Sequence, residues 1–183
     1  MKIIAGTARG MNLVTPQGRH TRPTTGRIKE TLFNIIQADV PGSRFLDLYS
    51  GSGSIAIEAL SRGAKEAVLV DNNKEALSCI NTNLKKTRFN DRAQVMPLEV
   101  LHALRKLTGR GEAFGIIFMD PPYGRGFEKA AAMFLLGSNL VESGTLVIIE
   151  TAIDEDISYM EAFPCSIWKV KEYKTNKHIF LRV

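Results

Sequence analysis

The sequence predicts a doubly wound α/β domain with a mostly parallel sheet that closes on an antiparallel hairpin. Three observations predict it. Short apolar runs alternate with helix-length stretches from residue 45 to residue 150, and such alternation builds a parallel sheet covered on both faces. The first run leads straight into a turn carrying Gly51 and Gly53, the place where doubly wound folds open a ligand crevice. The last two apolar segments are joined through Thr175-Asn176, which suits a hairpin and is too short for a parallel crossover.

Lys2–Ala5 and Met11–Val14 read as two short strands joined through Gly6 to Gly10, a hairpin-like flap. The stretch from Thr15 to Thr25, with Pro16, Gly18 and Pro23, reads as a loop. Ile28, Leu32, Phe33, Ile35 and Ile36 form a helical stripe that predicts a helix over Gly26–Ala38, ended by Pro41-Gly42. Strands are then expected at Phe45–Tyr49, Ala67–Val70, Gln94–Met96, Phe114–Met119 and Thr145–Glu150. Helices are expected between them at Ser54–Arg62, Lys74–Lys86, Val100–Leu107 and Phe127–Leu136. The tail adds a short helix near Asp154–Glu161 and strands at Ser166–Tyr173 and His178–Arg182. The expected division is a basic N-terminal extension of hairpin plus helix over residues 1–40, followed by the α/β domain over residues 41–183.

Composition sets the outer bounds. The chain has 183 residues, 44% hydrophobic and 23% charged, which suits one domain with its own core. No apolar run approaches the roughly 18 residues of a membrane span, and the N-terminus lacks a signal-type apolar stretch, so a cytoplasmic location is expected. Cys79 and Cys165 stand alone, and His20, His102 and His178 are scattered, so no metal site is expected.

The charge distribution says more. Net charge is +5, and residues 1–44 carry all of it: Lys2, Arg9, Arg19, Arg22, Arg27, Lys29 and Arg44 face only Glu30 and Asp39. A basic surface of this kind attracts a polyanion, nucleic acid being the commonest. The bland alternative is a solvated charged face.

The first strand runs into Asp47-Leu48-Tyr49-Ser50-Gly51-Ser52-Gly53-Ser54. The glycines let the chain turn sharply and let a ligand approach the backbone, and the free N–H groups of the following helix face the same crevice. Asp71 ends the next strand, where a carboxylate can accept both hydroxyls of a ribose. Gly51-Ser52-Gly53-Ser54-Ile55-Ala56 also fits a dinucleotide fingerprint. Asp47 weighs between the two cofactors. An acid just before the glycines is awkward beside a pyrophosphate and suits S-adenosylmethionine, which bears an ammonium and a sulfonium.

Asp120-Pro121-Pro122-Tyr123 follows the fourth parallel strand, so it is expected in the same crevice. An exocyclic amino nitrogen on a nucleobase is a poor nucleophile because its lone pair is delocalised into the ring. Asp120 can accept one N–H hydrogen, and a main-chain carbonyl at Pro121 or Pro122 can accept the other. Two fixed acceptors favour a pyramidal nitrogen whose lone pair points at the methyl group. The prolines stiffen the loop, and Tyr123 offers a ring on which a base stacks, worth about 1–3 kcal/mol. Such catalysis rests on orientation and electrostatics.

These residues match a known family. Asp120–Tyr123, with the Asp47–Gly53 turn upstream, looks like the amino-methyltransferases of class I fold. Ile3–Gly10 and the run Thr21-Arg22-Pro23-Thr24-Thr25-Gly26-Arg27-Ile28-Lys29-Glu30-Thr31-Leu32-Phe33-Asn34 resemble the opening of the bacterial 16S ribosomal RNA guanine-N2 methyltransferase family (RsmD-like). The resemblance spans nearly the whole chain, and the Arg-Pro-Thr segment is its most specific part.

It implies a seven-stranded class I (Rossmann-like) methyltransferase sheet, S-adenosylmethionine as donor, and a guanine N2 of small-subunit ribosomal RNA as acceptor, free or within the small subunit. Matching positions put Asp47, Ser50, Gly51, Ser52 and Gly53 at the methionine end of the cofactor and Asp71 on the ribose. Asn72 and Glu99 fall near the adenine, and Asp120, Pro121, Pro122 and Tyr123 at the guanine. Arg9, Arg22, Thr24, Arg27 and Lys29 are the expected RNA contacts. Glu99 stands where the family usually has Asp, and Tyr173 is followed by Lys174 where the family often has Tyr-Gly. DNA or protein amino-methyltransferases sharing the tetrapeptide are the rival acceptor classes, since composition does not separate RNA from DNA.

Overall fold

A computed structural model describes residues 1–16, 26–109 and 111–183. Its five helices are α1 (Gly26–Ile35), α2 (Ser54–Ser61), α3 (Lys74–Thr87), α4 (Val100–Thr108) and α5 (Phe127–Leu136). Its seven strands are β1 (Arg44–Leu48), β2 (Glu66–Val70), β3 (Ala93–Met96), β4 (Ile116–Met119), β5 (Leu146–Ala152), β6 (Ser166–Glu172) and β7 (Asn176–Arg182). They form one sheet in the order β3-β2-β1-β4-β5-β7-β6. The first five strands are parallel, while β7 runs antiparallel to both β5 and β6. The expected class I architecture with its closing hairpin is therefore present.

The sheet is buried on both faces because alternate residues of each strand feed opposite cores. Phe45, Leu69, Phe118, Ile148 and Phe180 meet α1, α2 and α3 on one side. Leu46, Leu48, Val70, Ile117, Met119, Ile149 and Leu181 meet α4 and α5 on the other. This explains why the central strands read as near-continuous apolar runs. Asp47, Asp120, Glu150 and His178 each lie two residues from a member of the first core. With a period of two they share that face.

Three local expectations change. Helix α1 stops at Ile35, and Ile36 stays buried in the turn that follows. The expected tail helix is a 3-10 turn over Ser158–Ala162, with Met160 as its buried residue, too short to support an α-helix. The N-terminal flap pairs at one antiparallel bridge, Lys2 to Asn12, flanked by Ile3 N to the Met11 carbonyl at 3.0 Å and Leu13 N to the Met1 carbonyl at 2.6 Å, rather than along two full strands.

Side chains of α2 and α3 hold this short ladder against the sheet domain. Glu58 accepts from the N–H groups of Ile4 and Ala5 at 2.9 and 3.0 Å. Ser61 Oγ accepts from Ala8 N and donates to the Ala5 carbonyl. Asn83 bonds both the N–H and the carbonyl of Val14, and also donates to the Ser52 carbonyl at 2.9 Å. Ile3, Ala8 and Leu13 are buried as a result.

Lys29 requires a correction. Its side chain is fully buried, with Nζ 3.0 Å from Glu58 Oε2 and donating to the Lys2 carbonyl at 2.9 Å. Burial pushes its proton affinity down, against the opposing pull of Glu58. Lys29 therefore clamps α1 and the N-terminal segment to α2 and does not reach a phosphate. Lys29 lies on the buried face of α1, three, four and seven residues before Leu32, Phe33 and Ile36, so the helical period itself points it inward. Lys29→Ala should cost about 3 kcal/mol in urea unfolding, because it strands a buried charge that keeps only its remaining partners. Arg9→Ala, at an exposed site, should stay within about 0.5 kcal/mol.

Candidate active site

The site lies at the carboxyl ends of β1 and β4, where the strand order reverses. The parallel register pairs Asp47 with Phe118 and Leu48 with Met119. The turn after β1 and the loop after β4 therefore leave the sheet side by side.

Asp47 is buried, with 1% of its surface exposed. Its Oδ2 accepts from Ala56 N at 3.1 Å. Helix α2 has Gly53 at its N-cap and no side-chain cap of its own, so Asp47 supplies that acceptor from the strand. Burial raises its carboxyl to about 8. Ser50 Oγ donates to the Asp47 carbonyl at 2.7 Å and ties the turn to its strand. Gly51 and Gly53 both adopt positive φ, 55° and 74°. A Cβ on Gly51 would meet open space, whereas one on Gly53 would come within 2.9 Å of Leu69 Cδ2. The first glycine leaves the crevice open, and the second lets helix and strand pack. Tyr49 also has positive φ, 63°, and stacks on Phe127 at 6.4 Å; left-handed backbone at a non-glycine residue is the strain that functional turns carry.

Asp71 ends up braced on both oxygens. Oδ2 accepts from Gly51 N and Oδ1 from Asn73 N, each at 2.8 Å. Asn73 in turn caps α3 through Glu75 N and Ala76 N. Asn72 is exposed beside it. Glu99 is exposed at the N-cap of α4, where Oε2 accepts from His102 N at 3.2 Å. The acid after β3 thus caps α4.

Asp120 is half-buried where the chain leaves β4. Burial, the charge of Glu150 and the charge of Asp47 raise its proton affinity well above the ordinary carboxylate range. Pro121 is buried and Pro122 exposed. Tyr123 is 38% exposed, and its hydroxyl donates to Glu150 Oε1 at 3.0 Å.

Sequence reasoning missed the partners of that hydroxyl. Glu150 also accepts from Asn176 Nδ2 at 2.6 Å, and its Oε2 lies 2.9 Å from His178 Nε2. His178 Nδ1 is 3.4 Å from the Tyr173 hydroxyl. Burial alone would raise Glu150, but His178, Tyr123 and Asn176 outweigh it and hold the carboxyl below its usual range. The available signal was a glutamate ending the apolar run Leu146–Ile149 inside a buried strand.

Of the expected RNA contacts, Arg9 and Arg27 are exposed. Arg22 and Thr24 lie outside the described residues. Among the described residues, no helix is long and apolar enough to cross a membrane.

The geometry agrees with what the chain is similar to. The family described as conserved hypothetical protein 95 matches residues 1–182. "Putative rRNA methyltransferase YlbH" of Bacillus subtilis is 36% identical over 150 residues, 82% of each chain. "Ribosomal RNA small subunit methyltransferase D" of Haemophilus influenzae is 32% identical over 158 residues, 86% of this chain and 81% of the other. A solved hypothetical protein of Thermus thermophilus superposes with a TM-score of 0.86 at 32% identity, covering 100% of this chain and 99% of the other. The chain belongs to the conserved hypothetical protein 95 family, the family of ribosomal RNA small subunit methyltransferase D that its N-terminus and its Asp-Pro-Pro-Tyr loop resemble.

Proposed function

We propose that the chain transfers a methyl group from S-adenosylmethionine to the exocyclic N2 amino group of a guanine in small-subunit ribosomal RNA. The observation that carries this reading is Asp120 with its raised proton affinity, one strand away from the glycine turn, in a chain whose relatives bear rRNA methyltransferase names.

The crevice fits the donor chemically. Asp47, Asp71 and Asp120 make it acidic, which opposes a pyrophosphate and favours a ligand bearing an ammonium and a sulfonium. In this reading Asp47 and the Ser50–Gly53 backbone hold the methionine end. Asp71, already oriented by two N–H groups, still has lone pairs for the ribose hydroxyls, and Asn72 and Glu99 flank the adenine. The bound donor supplies an electrophilic methyl group.

The chain's own residues do the rest. Asp120 accepts one N2 hydrogen, and a carbonyl of Pro121 or Pro122 accepts the other, which directs the nitrogen lone pair towards the methyl carbon. A cation against Asp47 and Asp120 favours both carboxylates, so Asp120 is ionised when donor is present. As the sulfur–carbon bond breaks and the nitrogen–carbon bond forms, Asp120 is placed to take the released proton. Tyr123 stacks on the base. Arg9 and Arg27, with Arg22 and Thr24, meet the RNA backbone.

Asp120→Ala should slow single-turnover methylation by about 10²-fold or more at saturating cofactor, the scale of one preorganised electrostatic group. Mass spectrometry of the rRNA should locate the lost methyl group at a guanine N2. A wild-type rate for the variant would sink the mechanism.

Asp47 generates a pH prediction. Its folded-state value lies above the unfolded one, so below about pH 8 the empty site holds a proton that a cationic ligand must displace. S-adenosylmethionine affinity should therefore rise between pH 6 and 8 by up to about tenfold per unit for one displaced proton. Calorimetry in two buffers of different ionisation enthalpy should register the release, and Asp47→Asn should flatten the profile.

Replacing Arg9 and Arg27 by Ala should flatten the log–log salt dependence of RNA binding by roughly 1–2 units. An unchanged slope in filter binding would leave these arginines as a solvated face.

A further inference from the structure

We infer that Glu150 is a positioning residue that sets the orientation of the Tyr123 ring and ties the loop after β4 to the C-terminal hairpin. This rests on the reading of Asp120–Tyr123 as the base pocket.

Register places the network. Glu150 sits directly opposite His178 in the β5–β7 pair, and Asn176 lies two residues away on the same face. Three donors converge on one buried carboxylate: the Tyr123 hydroxyl at 3.0 Å, Asn176 Nδ2 at 2.6 Å and His178 Nε2 at 2.9 Å. His178 is fully buried and packs edge-on against Phe118, Tyr173 and Phe180, at 6.0, 5.1 and 6.2 Å. The carboxylate is thus fixed from the hairpin side, independently of the loop it serves.

Tyr123 needs an external anchor. Pro121 and Pro122 stiffen the chain before it, but Gly124 and Gly126 follow at φ 73° and 66° with nothing within 4 Å of a Cβ at either position. The ring stands 38% exposed at the crevice. Its hydroxyl is the end held by the sheet, so the bond to Glu150 fixes where the long axis of the ring points among the directions the glycines permit. Hydrogen bonds to an ionised group are the strong ones. The charge on Glu150 has a second effect at the same site, since it raises the proton affinity of Asp120.

A double-mutant cycle tests the role. Tyr123→Phe removes only the hydroxyl, and Glu150→Gln keeps the shape while removing the charge. Each should lower kcat for RNA methylation by about tenfold, and the double variant should be no slower than the worse single one, as expected for residues acting through one contact. S-adenosylmethionine affinity by calorimetry should stay within about twofold in all three, which also shows that the proteins fold. A double variant slowed by about 100-fold, the product of the singles, would overturn the inference. So would a wild-type rate for Tyr123→Phe, a result that does not require the Glu150 variant to fold. Tyr123→Ala separates the two levels. If it methylates normally, the base-pocket reading and the role of Glu150 fall together. If it is slow while the cycle is multiplicative, the pocket stands and only the Glu150 role fails.

Discussion

The parallel register of β1 against β4 is the constraint on which the site depends. Asp47 opposite Phe118 fixes how far the glycine turn stands from the loop that begins at Asp120. A shift by one residue would turn Asp47 from the α2 side of the sheet to the α4 side, because side chains alternate along a strand. The register is itself enforced from both faces: Phe45 and Phe118 must enter one core while Leu46, Leu48, Ile117 and Met119 enter the other. Packing of apolar residues thus decides where polar ones meet.

Gathering carboxylates at one edge of a buried sheet is costly, and the structure shows how each is supported. Asp47 lies against the N-terminus of α2, Asp71 accepts two backbone N–H groups, and Glu150 collects three side-chain donors. Asp120 is pushed upward by burial and by two neighbouring acids. Without a cation the edge is under electrostatic strain, and a positively charged ligand relieves it. In the proposed reading the same crowding favours a cationic donor and makes Asp120 a stronger base.

The N-terminal segment is part of this arrangement rather than a loose flap. Glu58, fully buried, gathers Lys29, Arg62 and the N–H groups of Ile4 and Ala5. Asn83 links Val14 to the Ser52 carbonyl inside the glycine turn. Val14 is thus bonded to the glycine turn through one buried polar side chain, and α1 is tied to α2 through another.

Local chemistry was legible in the sequence. The alternation of runs, the Gly51–Gly53 turn, the acid at 71 and the Asp120–Tyr123 loop each depend on residues adjacent in the chain, and hydrophobic period and turn chemistry report such features directly. Lys29 and Glu150 were not legible in the same way. Lys29 shares the apolar face of α1 with Leu32, Phe33 and Ile36, but its partner Glu58 lies 29 positions away, and no local pattern pairs the two. Glu150 finds His178 only because β7 returns antiparallel beside β5. The sequence by itself determined the alternation of strands and helices and where the glycine turn and the Asp120 loop fall. Tertiary structure decided which charges are buried together, because burial and pairing between distant segments set the local field, and no local pattern encodes that.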